Sequence, residues 1–197
     1  MRRLALWFSA LVLLLSPCGF AQSTSGYKLK VRTFSELANE QRRLVLGYCR
    51  ADFEGARLFA NGFEKMRPWV SYRANPEFDS FFVISRFEVP LPEQPGDVVS
   101  ALYRVVGSWD KSGGWAPTST SDTVQFKIIE REGELMINEI EPGQPRVSIR
   151  AALAYLKQQL PTATTSFERG MMQKGIDALS AMTAPTAASN SAPTAKP

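Results

Sequence analysis

Val99-Ser100-Ala101-Leu102-Tyr103-Arg104-Val105-Val106-Gly107-Ser108-Trp109 is the stretch whose reading decides the fold. Val99, Ala101, Tyr103, Val105, Gly107 and Trp109 fall on one face of an extended chain, with Ser100, Arg104 and Ser108 on the other. A period of two is what a half-buried strand requires, because successive side chains point to opposite sides of a sheet. The neighbouring segments repeat it. Upstream, Phe81, Val83, Ser85, Phe87 and Val89 alternate with Phe82, Ile84, Arg86 and Glu88. Downstream, Val124, Phe126 and Ile128 alternate with Gln125 and Lys127, Glu132-Gly133 turns the chain, and residues 135–140 return. Residues 110–121, rich in Gly, Ser and Thr, read as a long surface loop. The pattern is that of an antiparallel meander with one buried face.

Helices flank this sheet. Thr33-Phe34-Ser35-Glu36 fits a capping box, in which the hydroxyl and the carboxylate close the first turn reciprocally. Phe34, Leu37, Gln41, Leu44, Tyr48 and Ala51 then recur at helical spacing, joined by Ala38, Val45 and Cys49. Gly55 is the expected stop. A second helical piece is expected over residues 56–66, ending before Pro68. After Pro142-Gly143 and Pro145, Ser148 is placed to cap a last helix striped by Ile149, Leu153, Leu156 and Leu160. The fold class is therefore α+β, with a domain over residues 27–160. Residues 161–197 read as a low-complexity tail. Within it Phe167, Met171, Leu179 and Met182 make a weak amphipathic helix over 167–182 that either docks on the domain or frays, fraying being the favoured reading, and residues 183–197 lack the apolar content to order.

Ahead of the domain, Arg2 and Arg3 precede an apolar run over residues 4–15, and Gly19-Phe20-Ala21 sets small residues at −3 and −1 of a cut after Ala21. This is the pattern of a secretory signal peptide over residues 1–21, which places the mature chain in the periplasm or outside the cell. The run falls short of the roughly 20 apolar residues that span a bilayer, so no membrane span is expected after cleavage. Pro17 stands where a lipoprotein leader carries a small residue before its cysteine, which argues against lipid on Cys18.

Composition removes several functions. The chain has no histidine, and so lacks the commonest general base and transition-metal ligand. Cleavage leaves Cys49 as the single cysteine, which excludes an internal disulfide and reads as a small buried hydrophobe. Between Tyr27 and Leu160, 18 basic residues are interspersed with 17 acidic ones, so the formal net charge of +4 describes no basic face for nucleic acid. No metal-ligand cluster, nucleophile–base pair or phosphate loop is present, and no cofactor is expected. The close acid pairs Asp52/Glu54, Glu77/Asp79 and Glu130/Glu132 lack the facing geometry of a glycosidase.

A long helix, a short second helix and then a curved antiparallel sheet resemble the cystatin-like fold of the nuclear-transport-factor-2-like superfamily. Tyr48-Cys49-Arg50-Ala51-Asp52-Phe53-Glu54-Gly55 is similar to the end of that family's first helix. Val124-Gln125-Phe126-Lys127-Ile128 through Glu132-Gly133 to Ile140 is similar to its closing hairpin, with Leu135 where Trp often follows the glycine. Ser148-Ile149-Arg150-Ala151-Ala152-Leu153 resembles a short helix in secreted bacterial members. The resemblance covers residues 34–160. It implies a cone-like half-barrel wrapped on the first helix, a pocket inside it, and dimers through the open sheet face.

Within that frame the candidate ligand-binding residues are Tyr48, Asp52, Tyr72, Tyr103 and Trp109. Asp52 follows Val45, Tyr48 and Cys49 on the apolar stripe, so it either points into the pocket mouth or sits in the inter-helix turn, solvated or capping the helix from Ala56. The tyrosines either offer phenol groups to a cavity or pack in the core. Trp109 and Trp115 bracket residues 111–114 beside the rim. Arg86 and Arg104 fall on outer strand faces, where they read as solvated rather than as anion ligands. The leading reading is an exported, non-enzymatic module that binds a small apolar ligand or an envelope protein. The alternative is an isomerase- or dehydratase-type enzyme using Asp52 as base and a pocket tyrosine. That alternative expects Asp52→Asn to abolish activity at nearly unchanged stability.

Overall fold

The computed structural model describes residues 32–59, 61–72 and 78–183. Residues 1–31, which include the stretch expected to be a signal peptide, and the last 14 residues, 184–197, lie outside the described set. Helix α1 spans Phe34–Phe53, and its capping box forms as expected: the Glu36 amide donates to Thr33 Oγ1 at 3.3 Å, and the Thr33 amide donates to Glu36 Oε2 at 2.8 Å. Its inward stripe is Ala38, Gln41, Val45, Tyr48, Cys49 and Asp52. Phe34, at the helix start, is 62% exposed instead of buried.

Gly55 ends α1 in the left-handed conformation at φ 86°, and a Cβ there would meet the Ala151 side chain at 3.0 Å. A side chain would therefore be both strained and crowded. The expected helix over 56–66 is broken. A 3₁₀ turn at Ala56–Leu58 gives way to extended backbone at Phe59 before the short helix α2, Gly62–Met66. Gly62 marks the fold-back, because a Cβ there would stand 2.9 Å from the Ala56 carbonyl oxygen and 3.0 Å from the Arg57 backbone, which leaves no room for a side chain.

Five strands follow: β1 (Ser80–Glu88), β2 (Val98–Asp110), β3 (Gly114–Arg131), β4 (Glu134–Glu141) and β5 (Arg146–Ser148). Their order is β4-β3-β2-β1-β5, and the sheet curls through 225° into a half-barrel. All neighbours are antiparallel except β5, which runs parallel to β1. That short parallel strand is a correction to the simple meander. The free side of β4 is met by residues 69–71, where Ser71 and Ile137 amides donate to the Ile137 and Trp69 carbonyls.

A second correction concerns residues 110–121. They form no long loop: β2 runs to Asp110, three residues turn, and β3 starts at Gly114. Trp109 pairs directly with Trp115 across the hairpin. Thr and Ser fit a pleated backbone, but every residue from Ala116 to Ser121 is exposed, so no apolar alternation advertises the strand.

Two cores result. The first joins α1 and α2 to the concave face through Val45, Tyr48, Cys49, Met66, Tyr103 and Phe126, among others. The second joins Phe81, Val83, Trp109 and Val147 to helices α3 (Ile149–Gln159) and α4 (Ser166–Thr183). The Ser148 hydroxyl caps α3, accepting from the Ala151 amide at 3.1 Å. Helix α4 does not fray. Leu179 is fully buried and Gly175 lies so close to the Trp109 ring that a Cβ would stand 2.8 Å from it. The buried apolar residues of α4 are few, but Ile176 and Leu179 sit where they count.

Candidate functional site

The interior polar cluster grows out of α1. Tyr48 and Asp52 are one helical turn apart, so both face the concave sheet, at 2% and 3% exposure. The left-handed turn at Gly55 swings Arg57 back onto Asp52. Arg57 Nε donates to Asp52 Oδ1 at 2.9 Å and Nη2 to Oδ2 at 3.3 Å, while the Arg146 amide donates to Oδ2 at 2.9 Å. Arg57 Nη1 also donates to the Gly143 carbonyl at 2.9 Å. One carboxylate thus ties the end of α1, the 3₁₀ turn and the start of β5. Burial works against the Arg57 charge, but the Asp52 carboxylate and its hydrogen bond, together with Tyr48 and Tyr72, outweigh it and hold Arg57 above its ordinary pKa. Asp52 is neither a free acid at a pocket mouth nor a solvated turn residue.

Arg146 crosses the concave face. Its guanidinium lies 5.3 Å from the Phe82 ring centroid and 5.1 Å from that of Tyr103, an aromatic sandwich that favours a cation. Nη1 donates to the Pro142 and Gln144 carbonyls and Nη2 to Asp122 Oδ2 at 2.5 Å, while Nε has no hydrogen-bond partner among the described residues. Tyr103 and Cys49 meet at 3.0 Å between hydroxyl and Sγ. Burial pushes the Cys49 thiol up to about 12, partly offset by that bond, and raises Tyr103 as well. A thiol so shifted is no nucleophile.

Tyr48 packs edge-on against Phe126 with ring centroids 5.6 Å apart, and its hydroxyl has no partner among the described residues. Burial raises its pKa well above the usual phenol range, against the lowering effect of Arg57. Tyr72 is half-buried beside the same core, and burial raises its pKa too. The structure therefore brings Tyr48, Asp52, Tyr72 and Tyr103 together around the first core. Side chains fill this part of the cone. Trp109 is elsewhere, in the second core.

Trp109 lines a different feature, a pocket of about 260 Å³ between α3, α4 and the β2–β3 hairpin. Trp109, Leu156, Met171 and Met172 form its apolar walls, with Lys111 and Glu168 at the rim. Lys111 faces Asp79 at 3.3 Å. The Glu168 carboxylate accepts from the Thr164 hydroxyl, the Thr164 amide and the Thr165 amide, and these bonds lower its pKa, the Thr164 hydroxyl most.

Arg57, Arg146 and Asp122 are the members of the cluster that sequence reasoning missed. Arg57 left a signal, an arginine five residues past an inward acid across a glycine turn. Asp122 was hidden by the reading of its neighbourhood as loop, and nothing in the run Pro142–Pro145 pointed to a buried arginine after it. Among the described residues no three His, Cys, Asp or Glu side chains are placed to hold a metal, and no helix is long and apolar enough to cross a membrane. No protein-family model, curated protein or solved structure matches the chain.

Proposed function

We propose that this chain is an exported, non-catalytic binding module of the nuclear-transport-factor-2-like superfamily, and that it holds a small apolar ligand against Trp109. The observation that carries the reading is the chemistry of the Trp109 pocket. Trp109, Leu156, Met171 and Met172 give it apolar walls beside the polar Gln159, Thr162 and Thr164, and its charged groups are engaged, Lys111 with Asp79 and Glu168 with Thr164. Apolar walls with a few polar groups at the mouth are the usual make-up of a ligand site, and about 260 Å³ lies just under the roughly 300–1,000 Å³ of most. The superfamily reading is supported by the element order and by the half-barrel closed on α1. Export is supported by the pattern of residues 1–21.

The isomerase-type alternative draws no support from Asp52. A base needs a lone pair aimed at a substrate proton, and the Asp52 oxygens are directed at Arg57 and the Arg146 amide. The test is a titration of the mature protein with N-phenyl-1-naphthylamine, a neutral apolar fluorophore. Saturable binding with a change in tryptophan emission is expected, and it should be lost in Ala163→Phe, which fills the pocket from its wall. Retention of binding in a folded Ala163→Phe protein, or no binding in the parent, would remove the proposal.

A further inference from the structure

The outer face of the sheet carries a second, chemically distinct groove of about 420 Å³, whose lining includes Arg86, Glu88, Leu102, Arg104 and Ser121 alongside Phe87 and Tyr103. Arg86 is the direct cross-strand partner of Arg104, and Arg104 is the direct partner of Ser121. Residues opposite one another on adjacent strands share a face at Cβ separations of about 4.5–5.5 Å. Two guanidiniums and a hydroxyl therefore stand in one row across β1, β2 and β3. Arg104 Nη1 already donates to Ser121 Oγ at 3.2 Å, which orients that end of the row.

Like charges placed directly opposite each other oppose pairing, yet the ladder keeps these two together. Phe81 to Val83 against Trp109 to Gly107 and Arg86 to Glu88 against Arg104 to Leu102 share one register, and the two irregularities that flank Ile84 cancel. Among the described residues neither arginine has a carboxylate within 4.0 Å. Glu88 stands one row away opposite Leu102, so the groove keeps one net positive charge.

We propose that the Arg86–Arg104–Ser121 row binds a phosphate-type oxyanion, either free or as a phosphate headgroup. The paired guanidiniums supply planar forks that match its oxygens in a bidentate manner, and the serine hydroxyl supplies a further donor. The anion also cancels the like-charge repulsion across the β1–β2 ladder, so binding and strand pairing reinforce one another. Glu88 opposes it and sets an upper limit on affinity. This site is independent of the Trp109 pocket and stands or falls without it.

The experiment uses the mature protein in two arms. In the first, inorganic phosphate is titrated against chloride at matched ionic strength, with binding read by calorimetry and by the melting temperature. Phosphate should bind and raise the melting temperature where chloride does not. Arg86→Ala and Arg104→Ala should each weaken it about tenfold or more, Arg86→Lys should recover part, and Glu88→Gln should tighten it. Without phosphate, either alanine variant should melt no lower than the parent, since each removes a repulsion; a merely structural arginine would lower it. In the second arm, phosphatidylglycerol vesicles replace phosphate. Sedimentation with vesicles that free phosphate displaces assigns the headgroup as the source, whereas phosphate binding without vesicle binding assigns the free anion. No preference for phosphate over chloride, or binding unchanged in both alanine variants, overturns the proposal.

Discussion

Asp52 shows how far a single position could be read. Its place on the inward stripe of α1 was legible from spacing alone, because i, i+3 and i+4 neighbours share a helix face. Its chemistry was not, because Arg146 approaches from 94 residues away. The consequence is testable. Asp52→Asn leaves a buried guanidinium facing a neutral amide, and breaking one side of a buried pair costs about 3–5 kcal/mol. Urea unfolding should show that loss, where the isomerase reading expects stability nearly unchanged. Cys49 gives a second test, in pH. Its thiol titrates near 9.0 when unfolded and is pushed up to about 12 when folded. A raised folded pKa means that stability present below pH 9 is lost as pH climbs toward 12. One proton changes the unfolding free energy by about 1.4 kcal/mol per pH unit over that window. Tyr48 and Tyr103, also raised by burial, steepen the loss above pH 10. Cys49→Ala should therefore flatten the fall in urea midpoint between pH 9 and pH 10. An equal fall in the variant would assign the slope to other groups.

Among the elements, α1 and β2 were legible because local signals agreed with tertiary use: a capping box opens α1, and alternation runs through most of β2. The start of β3 was not, since residues 116–121 are exposed on both sides and bury nothing that alternates. Nor was β5, whose three residues are too few to show a period. Helix α4 sits between these cases. Leu179 was among its expected apolar positions, but Phe167 and Met182 are exposed and the buried Ile176 was not among them, and a stripe of four in Ala- and Thr-rich sequence gives no hint that a tryptophan waits to receive it. Docking is nevertheless tight at Leu179, fully buried, while Met182 is 43% exposed. Leu179→Ala should cost about 2–5 kcal/mol by thermal unfolding, as buried leucine truncations do. Met182→Ala should fall within about 0.5 kcal/mol, as exposed substitutions do. A frayed α4 would leave both variants indistinguishable from the parent.

At the level of the whole molecule, the two cores are joined by the strands between them. Strict alternation would put Trp109 on the α1 side with Tyr103 and Val105. Irregular pairing between Val105 and Gly107 breaks the parity instead, and Trp109 enters the second core. On β1 the hand-over falls between neighbours, as Phe81 and Val83 serve the second core and Ile84 the first. A strand that supplies both cores cannot leave one without weakening the other, so they should unfold together. Tryptophan makes this measurable. Trp69 packs against the first core, and Trp109 and Trp115 belong with the second. In the chain lacking residues 1–21, the Trp69→Phe variant reports the second core, and the Trp109→Phe, Trp115→Phe double variant reports the first. In each, the fluorescence transition in urea should coincide with the circular dichroism transition of the same protein, as a two-state domain requires. If the Trp109–Trp115 signal melts ahead of the backbone signal, α3 and α4 form a separable layer. The helical layer that walls the Trp109 pocket would then be an appendage to the half-barrel, not part of one cooperative body.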